Sequence, residues 1–171
     1  PLDISITTGA RGWFGVSIDT HRVLTCGMRS YDGDFLHVLD VAKKTYTPIT
    51  LDKSIHRVRF GAAVYMKNNT VLIAGGMLLN TEVESSICIL FDLTTNTWKY
   101  IASMHQARFH HNAVLLNNGR VLVCGGFSLD HGFTNSCEIY NPATDKWSKI
   151  TPMHSKRGGG FLFPQTVNNR T

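Results

Sequence analysis

The chain has 171 residues, 43% hydrophobic and 17% charged, with a formal net charge of +5. That length suits one domain. No Lys/Arg run exceeds Lys43-Lys44, so the basic balance reads as a solvated surface rather than a nucleic-acid footprint, and no apolar stretch approaches the roughly 18 residues of a membrane-spanning helix.

The chain opens on Leu2-Asp3-Ile4-Ser5-Ile6-Thr7, which alternates as a strand should. Strands are then expected over 13–18, 22–27, 35–40 and 46–49, with Tyr31-Asp32-Gly33-Asp34 in a loop. A second group is expected over 60–66, 70–76, 86–93 and 97–101, and a third over 110–116, 120–126, 136–141 and 146–150. The connectors carry turn chemistry: Lys67-Asn68-Asn69, Thr94-Thr95-Asn96, Asn117-Asn118-Gly119 and Pro142-Ala143-Thr144-Asp145. Asn68-Asn69-Thr70 and Asn169-Arg170-Thr171 are formally glycosylation sequons, but a hairpin turn already accounts for the first. After Arg157, Gly158-Gly159-Gly160-Phe161-Leu162-Phe163 starts another group. Nothing of helical period runs long enough for a helix.

These groups are repeats. The apolar run that ends in glycine recurs as Val23-Leu24-Thr25-Cys26-Gly27, Val71-Leu72-Ile73-Ala74-Gly75-Gly76 and Val121-Leu122-Val123-Cys124-Gly125-Gly126, at steps of 48 and 50. Leu39-Asp40, Phe91-Asp92 and Tyr140-Asn141 follow at steps of 52 and 49. Tyr46, Trp98 and Trp147 each come seven residues after the landmark before them. Arg11, Arg59, Arg108 and Arg157 step by 48, 49 and 49. Four series in one phase define a repeat protein with a unit near 49 residues.

An apolar strand ending in Gly-Gly, an aromatic-Asp/Asn pair, then Trp, with Met104 to Arg108 and Met153 to Arg157 opening the next units, resembles the kelch repeat. The first unit departs from it, with Met28, Leu39 and Tyr46 in place of the second glycine, the aromatic residue and the Trp. The resemblance implies an all-β, kelch-type β-propeller segment of about three four-stranded antiparallel blades. Its expected divisions are the end of a preceding blade at 1–10, repeats at 11–58, 59–107 and 108–156, and the start of a fourth at 157–171. Phe91, Trp98, Tyr140 and Trp147 are expected between blades, where one sheet buries its face on the next. An arc with neither end capped is expected either to be marginal and aggregation-prone or to associate with another copy to complete a ring.

Cys26 and Cys124 fall in one slot of the repeat, Cys88 and Cys137 in another. Equivalent slots of different blades should lie beyond the roughly 7 Å that a disulfide spans between Cα atoms. Buried thiols are therefore expected, and they point to a reducing, cytoplasmic setting.

For function the sequence offers no assembled catalytic set. His105, His110 and His111 cluster, but adjacent residues on a strand face opposite ways. The glycine pairs lead into Met77-Leu78 and Phe127-Ser128, not into the helix or Lys-Ser/Thr of a phosphate loop. No cofactor and no metal is expected. The resemblance implies a protein-interaction module whose loops bind a protein or peptide at one rim, with acidic partners suited to repeated arginines. The residues it places there are Arg11, Tyr31, Arg57, Arg59, Arg108, His110, Asp130, His131, Phe133 and Arg157, with Asp32 and Leu79 on the same loops. The Arg of the Met-Arg pair has a second possible use, holding the loops of neighbouring blades. The alternative function is a piece of a galactose-oxidase-like carbohydrate or alcohol oxidase, although no residue matches a copper-radical site.

Overall fold

The computed structural model describes residues 12–27, 36–51 and 55–159. Among them there are strands, turns and no helix. The first blade is β1 (Phe14–Ser17), β2 (Arg22–Cys26), β3 (Leu36–Asp40) and β4 (Thr45–Ile49), paired antiparallel in that order. In the second, β5 (Val58–Arg59) and β6 (Ala62–Met66) both pair with β7 (Thr70–Leu78), followed by β8 (Glu84–Asp92) and β9 (Thr97–Ile101). The third is β10 (Asn112–Leu115), β11 (Val121–Cys124), β14 (Cys137–Asn141) and β15 (Lys146–Ile150), with β12 (Phe127–Ser128) and β13 (Gly132–Phe133) as a small separate hairpin. Sequence and structure agree on all twelve blade strands within one or two residues at most ends. At β7 the glycine pair was expected to end the strand. It runs on through a bulge at Gly75 to Leu78.

Alternation along the strands gives the second blade two apolar faces. One face of the second blade carries Val64, Met66, Leu72, Ala74, Cys88 and Ile101. It packs against Val121, Val123, Tyr140 and Trp147 of the third. Phe91 is fully buried in the matching core between the first and second blades, with Trp98 packed at its side. The indole of Trp147 donates to the Ala102 carbonyl at 2.8 Å, and the Asp145 carboxylate accepts from both the Ala102 amide and the Tyr140 hydroxyl at 2.9 Å. Aromatic burial and polar stitching thus join the blades at the same seam.

The glycine pairs permit backbone-to-backbone contact between blades. Gly76 N–H donates to the Arg108 carbonyl and Gly126 N–H to that of Arg157, each at 2.8 Å. A Cβ on Gly75, where φ is 55°, would lie 2.8 Å from the Arg108 oxygen. A second series links the inner strands. Phe60 N–H donates to Gly12 O, His110 N–H to Phe60 O, and Gly159 N–H to His110 O, again at 2.8 Å.

Two expectations are corrected here. Cys124 and Cys137 are not buried thiols but a disulfide. They stand directly opposite each other on β11 and β14, with Cα atoms 4.2 Å apart, the close spacing of a cross-strand pair. Comparing slots between blades missed a pairing inside one blade. Cys26 and Cys88 are free and buried, and burial pushes the Cys88 thiol up to about 12. The arginine series is also not one series. Arg59 bridges Met77, three residues beyond the last inner-hairpin pair at Ala74, and Phe109 bridges Phe127, three beyond Cys124. Arg59 therefore matches Phe109, and Arg108 matches Val58. A shift of one residue on a strand turns the side chain to the other face.

Candidate functional site: an aromatic rim across two blades

The consequence of that shift is visible at each arginine. Arg108 is fully buried. Its guanidinium donates to the Gly125 carbonyl at 2.8 Å, the Ser136 carbonyl at 3.1 Å, the Ser136 hydroxyl at 2.9 Å and Glu138 Oε1 at 2.9 Å. Glu138, 1% exposed, also accepts from the His105 amide at 2.7 Å, His105 Nδ1 at 2.8 Å and the Gln106 amide at 3.2 Å. Burial alone would raise this carboxyl; the bonds from His105 and the neighbouring Arg108 charge outweigh it and hold it below the usual carboxylate range. Arg108 therefore pins the loop before β10 and is withdrawn from any partner, which corrects its assignment to the binding surface.

Arg59, on the other face, is partly exposed. It pairs with Glu82 at 2.8 Å, touches the Met77 sulfur at 3.4 Å and lies 5.5 Å over the Phe60 ring. Arg57 is half-buried and its carbonyl accepts from the Leu79 amide at 3.1 Å. Arg157 is exposed, in the slot that Arg108 fills one repeat earlier. Arg11, Tyr31 and Asp32 lie outside the described residues.

The remaining candidates converge with residues that sequence reasoning missed. His110, at φ 53°, is exposed and its ring lies 4.2 Å from Phe60 and 5.2 Å from Phe109. Phe109 contacts Phe127 at 5.4 Å, and Phe127 contacts Phe133 at 5.1 Å, edge to face. A continuous aromatic row thus runs from the second blade to the hairpin of the third. At its far end Phe133 is 53% exposed and borders Gly158. Asp130 and His131 stand exposed at the hairpin tip beside Leu129, itself 53% exposed. The hairpin is tied to the second blade by Glu84 Oε1, which accepts from the Ser128 hydroxyl at 2.9 Å and the Leu129 amide at 3.2 Å. Val83, the residue before Glu84, is exposed as well. Phe60 after Arg59, Phe109 after Arg108 and Phe127 after Gly126 were the available signal, but nothing in their spacing said that they share an end of the sheets.

Partial enclosure lowers the His110 imidazole from its ordinary range. Its neighbour His111 is buried beside Gly75, and neither of its ring nitrogens has a hydrogen-bond partner. Among the described residues no three His, Cys, Asp or Glu side chains are grouped to hold a metal ion. Chemically, the rim offers apolar and aromatic area with a polar tip, which suits recognition of another surface.

No curated protein matches the chain. Residues 108–154, which hold the third blade and the loop pinned by Arg108, match the family model described as the Kelch motif. The two blades before the match carry the same landmarks and strand order, so the kelch motif of the third blade closes an array of like four-stranded sheets.

Proposed function

We propose that the chain is a protein-interaction module that binds a protein or peptide across the rim built from Val83, Phe60, His110, Leu129 and Phe133. The observation that carries this reading is the exposure of Phe133 and Leu129, each at 53%, on a hairpin anchored to two blades. Aromatic side chains held in place lose little entropy on binding and dominate interface energetics. Lys156 and Arg157, exposed and without an ion pair among the described residues, join His131 in favouring an acidic partner segment. A partner captured from the protein's own cells should lose at least ~10-fold in affinity when Phe133→Asp and Leu129→Asp are combined. Lys67→Glu, at the opposite end of the second blade, should leave affinity unchanged. Equal binding by the rim variant and the parent would sink the proposal.

We propose a second surface, for self-association. The face of the third blade turned away from the second carries Val114, Leu122, Ile139 and Ile150. Their counterparts Val64, Leu72 and Ile101 are buried at 4%, 0% and 9%, whereas Ile150 is 39% exposed and Leu122 only half-buried. In the isolated chain this face takes a blade of a second copy. Sedimentation should show species larger than the monomer, and Leu122→Lys with Ile139→Glu should return the chain to monomer. A monodisperse parent monomer would refute the interface.

A further inference from the structure

We infer that Asn68 is an N-glycosylation site and that the chain matures in an oxidising, secretory compartment. Two independent observations meet here. The Cys124–Cys137 disulfide is the kind of bond that persists where thiols are not kept reduced. Asn68-Asn69-Thr70 is an acceptor sequon at the tip of the β6–β7 hairpin.

Turn chemistry and the sequon fall to different residues of this hairpin. Asn69 does the work of the turn: its side chain accepts from the Tyr65 hydroxyl at 3.2 Å and donates to Thr94 Oγ1 at 3.0 Å, and its carbonyl accepts from Leu93 N–H at 2.9 Å. Asn68 is exposed at φ 67°, and its side-chain amide makes no hydrogen bond among the described residues. The same turn in the third blade is Asn117-Asn118-Gly119 followed by Arg120, which lacks the hydroxyl residue, so the sequon is a property of this blade alone among the two. The hairpin lies at the opposite end of the blade from the aromatic rim, so a glycan there leaves the rim open.

In the transfer, Asn68 Nδ2 attacks the anomeric carbon of an oligosaccharide carried on a lipid pyrophosphate. The C–N bond forms, the glycosyl–phosphate bond breaks, the lipid pyrophosphate leaves and the amide gives up one proton.

The test is peptide mapping of the protein isolated from its native cells, digested without reduction and treated in heavy-oxygen water with a peptide N-glycosidase, the amidase that hydrolyses the Asn–glycan bond and leaves aspartate. A heavy-oxygen aspartate at position 68, together with a linked Cys124–Cys137 peptide, is the expected result. A fully unmodified Asn68 peptide, or both cysteines recovered as thiols, overturns the inference. Expression through a secretory host supplies the second arm. Thr70→Ala should abolish the mass gain that the peptide N-glycosidase removes and Thr70→Ser should retain it, while Asn169→Gln should leave the gain assigned to Asn68 in place. A gain independent of Thr70 also overturns it.

Discussion

Glu138→Ala is expected to destabilise the chain by about 3–5 kcal/mol, because it leaves the buried Arg108 guanidinium without its counter-charge. The loss reaches beyond the pair. Glu138 is also the acceptor for the amides of His105 and Gln106, so its removal frees the loop that carries the Arg108 carbonyl onto Gly76. Arg108→Ala should cost a similar amount, since it orphans the Gly125 carbonyl and the carboxylate together. The second blade shows that the slot itself needs no charge: Val58 matches Arg108 and Ile89 matches Glu138, buried at 4% and 2%. The double variant Arg108→Val with Glu138→Ile should therefore recover more than half of either single loss. What it does not recover reflects the two loop amides, which still lack an acceptor; in the second blade the His56 amide uses the Tyr100 hydroxyl instead. Urea unfolding of the three variants checks this. Losses that simply add in the double variant would show that the charges are not coupled.

Acid should destabilise the chain well before its carboxylates are protonated, and His111 is the cause. Desolvation between the second and third blades, followed by the nearby Arg108 and His110 charges, pushes its imidazole down to about 3. The carbonyls of Ala74 and Arg108 pull the other way without forming a hydrogen bond of good geometry to the ring. In the unfolded chain an imidazole titrates near 6.5, so below that pH the unfolded state binds a proton that the fold refuses. The stabilisation is complete above about pH 6.5 and falls by about 1.4 kcal/mol per pH unit on the way down. Between pH 6.5 and 4.5 that amounts to roughly 2 kcal/mol. Asp19, Asp40, Asp92 and Glu138, all held below their ordinary values, add their losses at lower pH as they protonate. Lowered His110 acts in the same window as His111 but is more exposed. His111→Leu should remove most of the slope between pH 6.5 and 4.5 in urea midpoints measured at fixed protein concentration. An unchanged slope would place the proton elsewhere.

The sequence by itself determined the repeat, the strands and the seams between blades. Each rests on local rules that act within a few residues: alternation, Gly-Gly where backbones meet, Asn-rich turns, and large aromatics at matching positions. Placing Arg59, His110, Asp130, His131 and Phe133 near one rim was an expectation from the kelch resemblance rather than from these local rules. Only the tertiary structure decided which arginine faces outward, because a single-residue offset between the second and third blades is invisible to a period near 49 yet reverses a side chain on a strand. Only it joined Cys124 to Cys137, since opposition across β11 and β14 depends on register, which the twelve intervening residues do not specify. The aromatic row likewise depends on three separate chain segments meeting at one rim, a contact that packing creates and spacing along the chain does not record.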